Sequence, residues 1–391
     1  MKIKVGVIFG GESVEHEVSV ISAIQAMNKL DQEKYDIIPI YITKDREWFT
    51  GEMLRDVETY QDMTLINKYA KNVVLYYRKG RFVLQTKGFF KRVVNEIDLA
   101  LPIVHGTNVE DGILQGYLQS IGIPYAGPNV YAAVVGQDKV YMKQIFESDN
   151  LPIPKYAWFY DNEVKEDITG VLKKINSLKY PVIVKPATLG SSVGIGTAAN
   201  DEELKEAILD AIKYDTKIVV EEMVNNLKEL NISVLGDYAH AKTSVIEEVI
   251  MANKFLSYED KYVGKSGKVK GKAPIKGSKG MASASRKIPA LIDDKLKHEI
   301  EEIALRAFKL LGSSGVTRID FLIDAKANKP YINEINSIPG SMAFYLWEAT
   351  GKDYTTLLDE VINIAIKDYK KRTSKTHSFE SNILQGFSAT N

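Results

Sequence analysis

The chain has 391 residues, 45% of them hydrophobic, which is enough for two or three domains of about 150 residues, each with its own core. Its 51 basic residues balance 51 acidic ones, so no overall field recruits nucleic acid or an anionic membrane. Cysteine is absent, which excludes disulfides, thiolate metal sites and a thiol nucleophile and suits a reducing compartment.

Met1-Lys2-Ile3-Lys4 leads into an apolar run that ends at Gly10-Gly11. Acidic Glu12, Glu15 and Glu17 follow without a cleavage pattern, so the run reads as a buried first strand and not as a signal peptide. No apolar stretch approaches the ~18 residues that cross a bilayer; a soluble, cytoplasmic protein without a lipid anchor is expected. A strand over 5–9, a helix over 19–30 and a strand over 35–42 give a βαβ opening. Residues 51–90 have weaker periodicity and are expected to form hairpins or an insertion of no assigned function. A strand over 99–104 then delivers His105-Gly106-Thr107-Asn108-Val109-Glu110-Asp111-Gly112 and a helix through residue 118. A polar loop at a strand's C-terminal end is where α/β sheets bind ligands.

Ile123-Pro124-Tyr125-Ala126-Gly127-Pro128 punctuates the chain and sets a domain boundary near Gly127. One helix over about 130–146 opens a smaller middle domain. A strand over 182–185, a loop over 186–196, a helix over 202–212 and a strand over 217–221 continue it. The remaining third reads as strands over 230–235 and 241–249, a long loop, a helix over 294–311, a hairpin over 317–336 and a helix over 354–369. The expected units are 1–127, 128–221, 222–372 and a flexible tail, 373–391, rich in Ser, Thr, Lys and Asn.

Chemistry concentrates in four places. In Thr317-Arg318-Ile319-Asp320-Phe321 and Tyr331-Ile332-Asn333-Glu334-Ile335-Asn336, residues two apart share a strand face, so Arg318 joins Asp320 and Glu334 joins Asn336. Such oxygen donors suit Mg²⁺ when nucleotide phosphates complete its shell; the alternative is a charge-paired strand surface. The second is Lys185 and the loop to Gly196, uncharged as far as Asp201. Its glycines and hydroxyls suit a flap over phosphate, without the Walker pattern, and a plain linker is the alternative. The third is Phe9-Gly10-Gly11-Glu12-Ser13-Val14-Glu15-His16, where a strand turns into a helix without Gly-x-Gly-x-x-Gly, which argues against a dinucleotide site. Glu15 there either holds an ammonium group or favours the helix N-terminus. The fourth is the run from Lys261 to Lys279, with seven lysines and four glycines, suited to closing over phosphates or to remaining a solvated loop.

Four motif sets in order carry a resemblance over residues 3–370. They are Val7-Ile8-Phe9-Gly10-Gly11 with Glu15-His16-Glu17-Val18-Ser19; His105-Gly106 with Glu110-Asp111-Gly112; Val184-Lys185-Pro186 with Gly190-Ser191-Ser192-Val193-Gly194; and Arg318-Ile319-Asp320 with Asn333-Glu334-Ile335-Asn336-Ser337-Ile338-Pro339-Gly340. The chain resembles the D-alanine–D-alanine ligases. The resemblance implies an α/β, three-domain ATP-grasp architecture with an N-terminal Rossmann-like domain. It implies ATP held between the middle and C-terminal domains, two Mg²⁺ with Mn²⁺ as an alternative ion, a homodimer, and a role in cell-wall peptidoglycan synthesis.

By position, Glu15 would bind the first D-alanine's ammonium, linked through Ser191 to Tyr262, with His105 near the same substrate. Lys139 and Lys185 would contact ATP phosphates under Ser191 and Ser192; Glu221 with the Met223 and Val224 backbone would meet adenine, Glu229 the ribose and Lys261 the γ-phosphate. Asp320, Glu334 and Asn336 would hold Mg²⁺, and Arg318 with the Gly340 N–H would stabilise the oxyanion. The clearest departure is Gly340-Ser341-Met342-Ala343-Phe344-Tyr345-Leu346. Where many members carry a serine for the second substrate's carboxylate, this chain has Tyr345, so its hydroxyl or the Leu346 N–H is expected to serve. D-alanine is the expected acceptor, with D-serine or D-lactate as the alternative; a silent ATP-binding homologue is the competing class.

Overall fold

The computed structural model describes residues 2–250 and 285–378. Its first sheet contains β1 (Ile3–Gly10), β2 (Tyr35–Ile42), β3 (Trp48–Thr50), β4 (Lys71–Arg78), β5 (Arg81–Thr86), β6 (Val93–Ile97) and β7 (Leu99–Ile103), in the order β6-β5-β4-β3-β2-β1-β7. β1 is parallel to both β2 and β7, and the helix His16–Lys29 completes the expected βαβ unit. Covered strands read as continuous apolar runs, and Val5, Val7, Ile8 and Phe9 have no exposed surface. Within 51–90, the anticipated hairpin is β4–β5. Lys79 (φ 50°) and Gly80 (φ 84°) form its tip, the two positive φ values that match the twist of a tight hairpin.

The second sheet joins β8 (Tyr156–Tyr160), β9 (Val182–Pro186), β10 (Gly196–Ala198) and β11 (Lys217–Glu222) in the order β10-β9-β11-β8, all antiparallel. Its core is Phe159, Val184, Ile218 and Ile208, under the helices Asp161–Ile175 and Asp201–Ala211. The third sheet joins β12 (Leu227–Gly236), β13 (Ala241–Ile250), β14 (Ser285–Lys287), β15 (Gly315–Asp324) and β16 (Lys329–Asn336) in the order β14-β13-β12-β15-β16. The helix Asp294–Leu310 lies on it, capped by the Asp293 side chain and buried through Leu296, Ile300, Ile303, Ala304 and Ala307, a 3.6-residue stripe.

The single helix expected over 130–146 is two, Val130–Gln137 and Lys139–Ser148. Asp138 makes the break: its carboxylate accepts the N–H groups of Val140 and Tyr141, starting a new helix as an N-cap does. Lys217 fixes that carboxylate at 2.5 Å. These helices precede the middle sheet in the chain but pack on the third, where Ala132, Met142 and Phe146 share a core with Leu230, Phe321 and Ile332. The last helix, Tyr354–Thr373, outruns its expected end and returns to the N-terminal core through Leu357, Leu358 and Val361. Of the expected tail, residues 379–391 lie outside the described residues.

Candidate active site

β1 ends in a turn locked from two sides. Ser19 Oγ accepts the Gly10 N–H at 2.8 Å and donates to the Ile103 carbonyl at 2.6 Å, tying the ends of β1 and β7 together. His16, lowered in pKa by burial, meets the Gly11 carbonyl at 2.6 Å and the Tyr41 hydroxyl at 2.9 Å. The turn presents Glu15 as the helix's N-cap residue, but its side chain makes no capping bond. It accepts a hydrogen bond from the Ser191 hydroxyl of the middle domain's loop. Two glycines permit this approach: a Cβ at Gly106 would stand 3.0 Å, and one at Gly190 3.1 Å, from Glu15 Oε2. Of the expected triad, Glu15 and Ser191 meet; Tyr262, like Lys261, lies outside the described residues.

A cavity of about 350 Å³ opens between the second and third sheets, a size that suits a cofactor-sized ligand. Lys139, Lys185, Ser191, Ser192, Glu221 and Glu229 line it, as do Met223, Val224 and Glu334. Lys139 starts the helix that Asp138 caps; its ammonium donates to the Leu189 carbonyl at 2.6 Å, and burial pushes its pKa down. Lys185 reaches Glu221 at 3.2 Å and Asn333 Oδ1 at 3.0 Å. Lys143, which sequence reasoning missed, is fully buried and stands 3.2 Å from the other Glu221 oxygen. Burial raises the Glu221 pKa, but Lys143 and Lys185 outweigh it and hold the carboxyl below its ordinary range. The expected adenine contacts are therefore partly committed elsewhere. The Glu221 carboxylate holds two lysines, and the Met223 N–H donates to the Pro181 carbonyl at 3.0 Å, leaving the Met223 carbonyl and the Val224 backbone at that wall.

Across the third sheet, the register sets Glu247 opposite Asn231, Asn231 opposite Asp320 and Asp320 opposite Glu334. Laterally paired residues share a face, so four strands contribute one polar row. Arg318 and Asn336 are paired one step along. Arg318 grips Asp320 with two bonds of 2.6 and 2.7 Å, and Asn336 Nδ2 donates to Asp320 at 3.1 Å; burial pushes the Asp320 carboxyl up against the pull of Arg318. A bulge between Asp320 and Phe321 breaks the alternation. It brings Asn333 to the Lys185 side beside Glu334. Among the described residues no three His, Cys, Asp or Glu side chains gather as a metal cage. Two carboxylates and an amide fit an oxygen-seeking cation whose shell is completed by phosphate and water, as Mg²⁺ prefers.

His105 and Glu110 join the N-terminal domain to the loop after β16. His105 donates from Nδ1 to the Ile338 carbonyl at 2.9 Å, so Nε2 accepts from Ser22 Oγ at 3.3 Å; burial lowers its pKa to about 4, and it stays neutral. Glu110 accepts the N–H groups of Gly106 and Ile338, both at 2.9 Å, and the Ser337 hydroxyl. Beyond Ile338, Ser341, Met342 and Ala343 take φ values of 49°, 56° and 48°, a left-handed turn that costs non-glycine residues roughly 1–2 kcal/mol each. It is pinned by Ser341 N donating to Ser22 Oγ at 2.9 Å and Ser341 Oγ donating to Gln25 at 2.6 Å. The turn fixes Gly340 beside Arg318's strand and starts the helix Phe344–Glu348, whose first turn includes Leu346 with no intrahelical partner for its N–H. Tyr345, one of the two groups expected to meet the second substrate, donates its hydroxyl to the buried Glu247 at 2.8 Å.

The D-ala D-ala ligase N-terminus family matches residues 4–128, and the D-ala D-ala ligase C-terminus family matches residues 145–363. A D-alanine–D-alanine ligase of Thermosipho melanesiensis is 37% identical over 383 residues, covering 98% of both chains. The D-alanine–D-alanine ligase of Coxiella burnetii superposes with a TM-score of 0.79 at 26% identity, over 95% of this chain and 96% of that one. The VanG D-Ala:D-Ser ligase of Enterococcus faecalis gives 0.76 at 28% identity, over 93% and 100%. With its ATP-grasp fold and both family halves matched in order, the chain belongs to the D-alanine–D-alanine ligase family, enzymes that form a carbon–nitrogen bond.

Proposed function

We propose that the protein joins two D-alanines into D-alanyl-D-alanine with ATP, through D-alanyl phosphate. The observation that carries this reading is the convergence of Glu15–Ser191, the Lys139 and Lys185 cavity and the Arg318–Asp320–Glu334 row on one cleft. Glu15 holds the ammonium of the donor D-alanine; the donor's own carboxylate oxygen attacks the γ-phosphorus, and the bond to the β,γ-bridging oxygen breaks as ADP leaves. Lys139 and Lys185 bind and orient the phosphates, Glu229 meets the ribose, and Ser191 and Ser192 cover the tail. Mg²⁺ held by Asp320, Glu334 and Asn336 supplies charge neutralisation for phosphoryl transfer. The acceptor amine then attacks the acyl carbon, phosphate leaves and the amine loses a proton. Arg318 and the Gly340 N–H face the oxyanion; one such donor typically contributes about 10²–10³ in rate.

D-serine is the second reading for the acceptor, supported by the likeness to the VanG D-Ala:D-Ser ligase. Among the described residues no helix is long and apolar enough to cross a membrane, and we place the enzyme in the cytoplasm, as a homodimer, supplying the dipeptide end of peptidoglycan precursors. Phosphate release measured with D-alanine, D-serine and D-lactate as acceptors tests the assignment. Release with D-alanine alone is expected, and silence with all three ends the ligase reading.

A further inference from the structure

Tyr345 stands where the resemblance drawn from the sequence places a serine in many family members, and its hydroxyl is engaged inside the protein. Glu247, with no exposed surface, takes the Tyr345 hydroxyl at 2.8 Å and Asn231 Nδ2 at 3.0 Å on one oxygen. Arg286 Nη1 stands 3.4 Å from the other. The Arg286 guanidinium also lies over the Tyr345 ring, 4.9 Å from its centre. Turning the phenol toward a substrate would leave a buried carboxylate short of a donor, which is unfavourable. The tyrosine is a platform.

Resting on the ligase reading, we propose that Arg286 receives the carboxylate of the acceptor amino acid, with Glu247 and the Tyr345 ring holding its guanidinium plane. Position supports this. Glu247 lies two strands from Asp320 on the same face, about 10 Å away at the usual strand spacing, and Arg286 pairs opposite Val249, which shares Glu247's face. The acceptor's amine must approach the oxyanion site at Arg318 and Gly340, and its carboxylate is only two bonds further on. Arg286 stands on that side of the sheet. Its side chain keeps 20% exposure where Glu247 keeps none. Chemistry supports it too: a planar fork meets a carboxylate with two parallel bonds, which neither a phenol nor an ammonium reproduces. Because D-alanine and D-serine end in the same carboxylate, Arg286 selects for an α-carboxylate and not for the side chain.

The test uses the full chain with D-alanine as donor and either D-alanine or D-alaninamide as acceptor. Wild type is expected to prefer D-alanine strongly. Arg286→Gln should raise the acceptor KM by about 10–100-fold, the range for a hydrogen bond to a charged group, leave the KM for ATP unchanged and lose the preference over D-alaninamide. Arg286→Lys, which keeps a cation beside Glu247 if the glutamine variant fails to fold, should lose most of that preference. Wild-type discrimination retained in either folded variant overturns the assignment while the ligase reading stands. A wild type that releases no phosphate with D-alanine overturns both.

Discussion

Lys143 and Glu221, both buried, stand 3.2 Å apart beside the cavity that Lys185 lines. The approach is an ion pair without hydrogen-bond alignment, so its worth lies in charge balance: Glu221 also carries Lys185, which faces the cavity. Removing one member of a buried pair leaves an uncompensated charge and costs about 3–5 kcal/mol. Lys143→Met should therefore lower stability by that amount in urea titrations, and Lys143→Met with Glu221→Gln should recover part of it. A single variant within about 1 kcal/mol of wild type would contradict this.

Ser191 joins a loop of the middle domain to Glu15 at the N-terminal turn. Hydrogen bonds to charged groups contribute about 1.5–3 kcal/mol. Ser191→Ala should thus reduce kcat/KM for the first D-alanine by about 10–100-fold with little change in melting temperature, measured by initial rates at saturating ATP. An unchanged kcat/KM would remove this contact from the mechanism.

The β15–β16 part of the polar row was legible because strand alternation with a period of two needs no tertiary knowledge: Arg318 with Asp320 and Glu334 with Asn336 share a face from spacing alone, and the register sets Arg318 opposite Asn336 and Asp320 opposite Glu334; Asn231 and Glu247 enter only through the sheet order. Asn333 was not, because a bulge moves it off the face that alternation assigns. Lys143 was hidden for a related reason. Its helix begins only where Asp138 breaks the apolar run, and the carboxylate that does so is set by Lys217, 79 residues away. Nothing in Ser341-Met342-Ala343 announces a left-handed turn, since none is glycine; contacts to Ser22 and Gln25 impose it. β8 escaped because Tyr-Ala-Trp-Phe-Tyr has no alternation, and the helix after it has Asp167 outside helical geometry.

Asp320 is held by Arg318 through two bonds and stands opposite Glu334. Glu334→Gln removes a charged oxygen donor while leaving that arginine clamp intact. The expected outcome is a shift of at least about 10-fold in the Mg²⁺ concentration for half-maximal activity, on the scale of lost metal-site interactions. Asp320→Asn should also release Arg318 and depress kcat further. Identical Mg²⁺ titrations for wild type and Glu334→Gln would exclude this row as the ion's seat.

Glu110 couples the N-terminal loop to the Ser337–Ile338 segment that leads into Gly340. Burial raises its pKa to about 7 from an ordinary 4.5, helped by the nearby Glu15 charge and opposed by its three donors. Below pH 4.5 the folded and unfolded chains both carry the proton, and its contribution is constant. Between 4.5 and 7 the unfolded chain loses the proton first, so the raised group makes stability fall as pH rises, by about 1.4 kcal/mol per unit and roughly 3 kcal/mol in all. Above pH 7 the loss is complete and the slope vanishes. Glu110→Gln removes this slope. It also turns an amide N–H₂ toward either Gly106 or Ile338, where a donor would face a donor, at a cost of about 1–3 kcal/mol. Urea titrations from pH 5 to 8 should therefore show a descending wild-type contribution that is absent in a less stable variant. Parallel curves across that range would show that Glu110 does not titrate there.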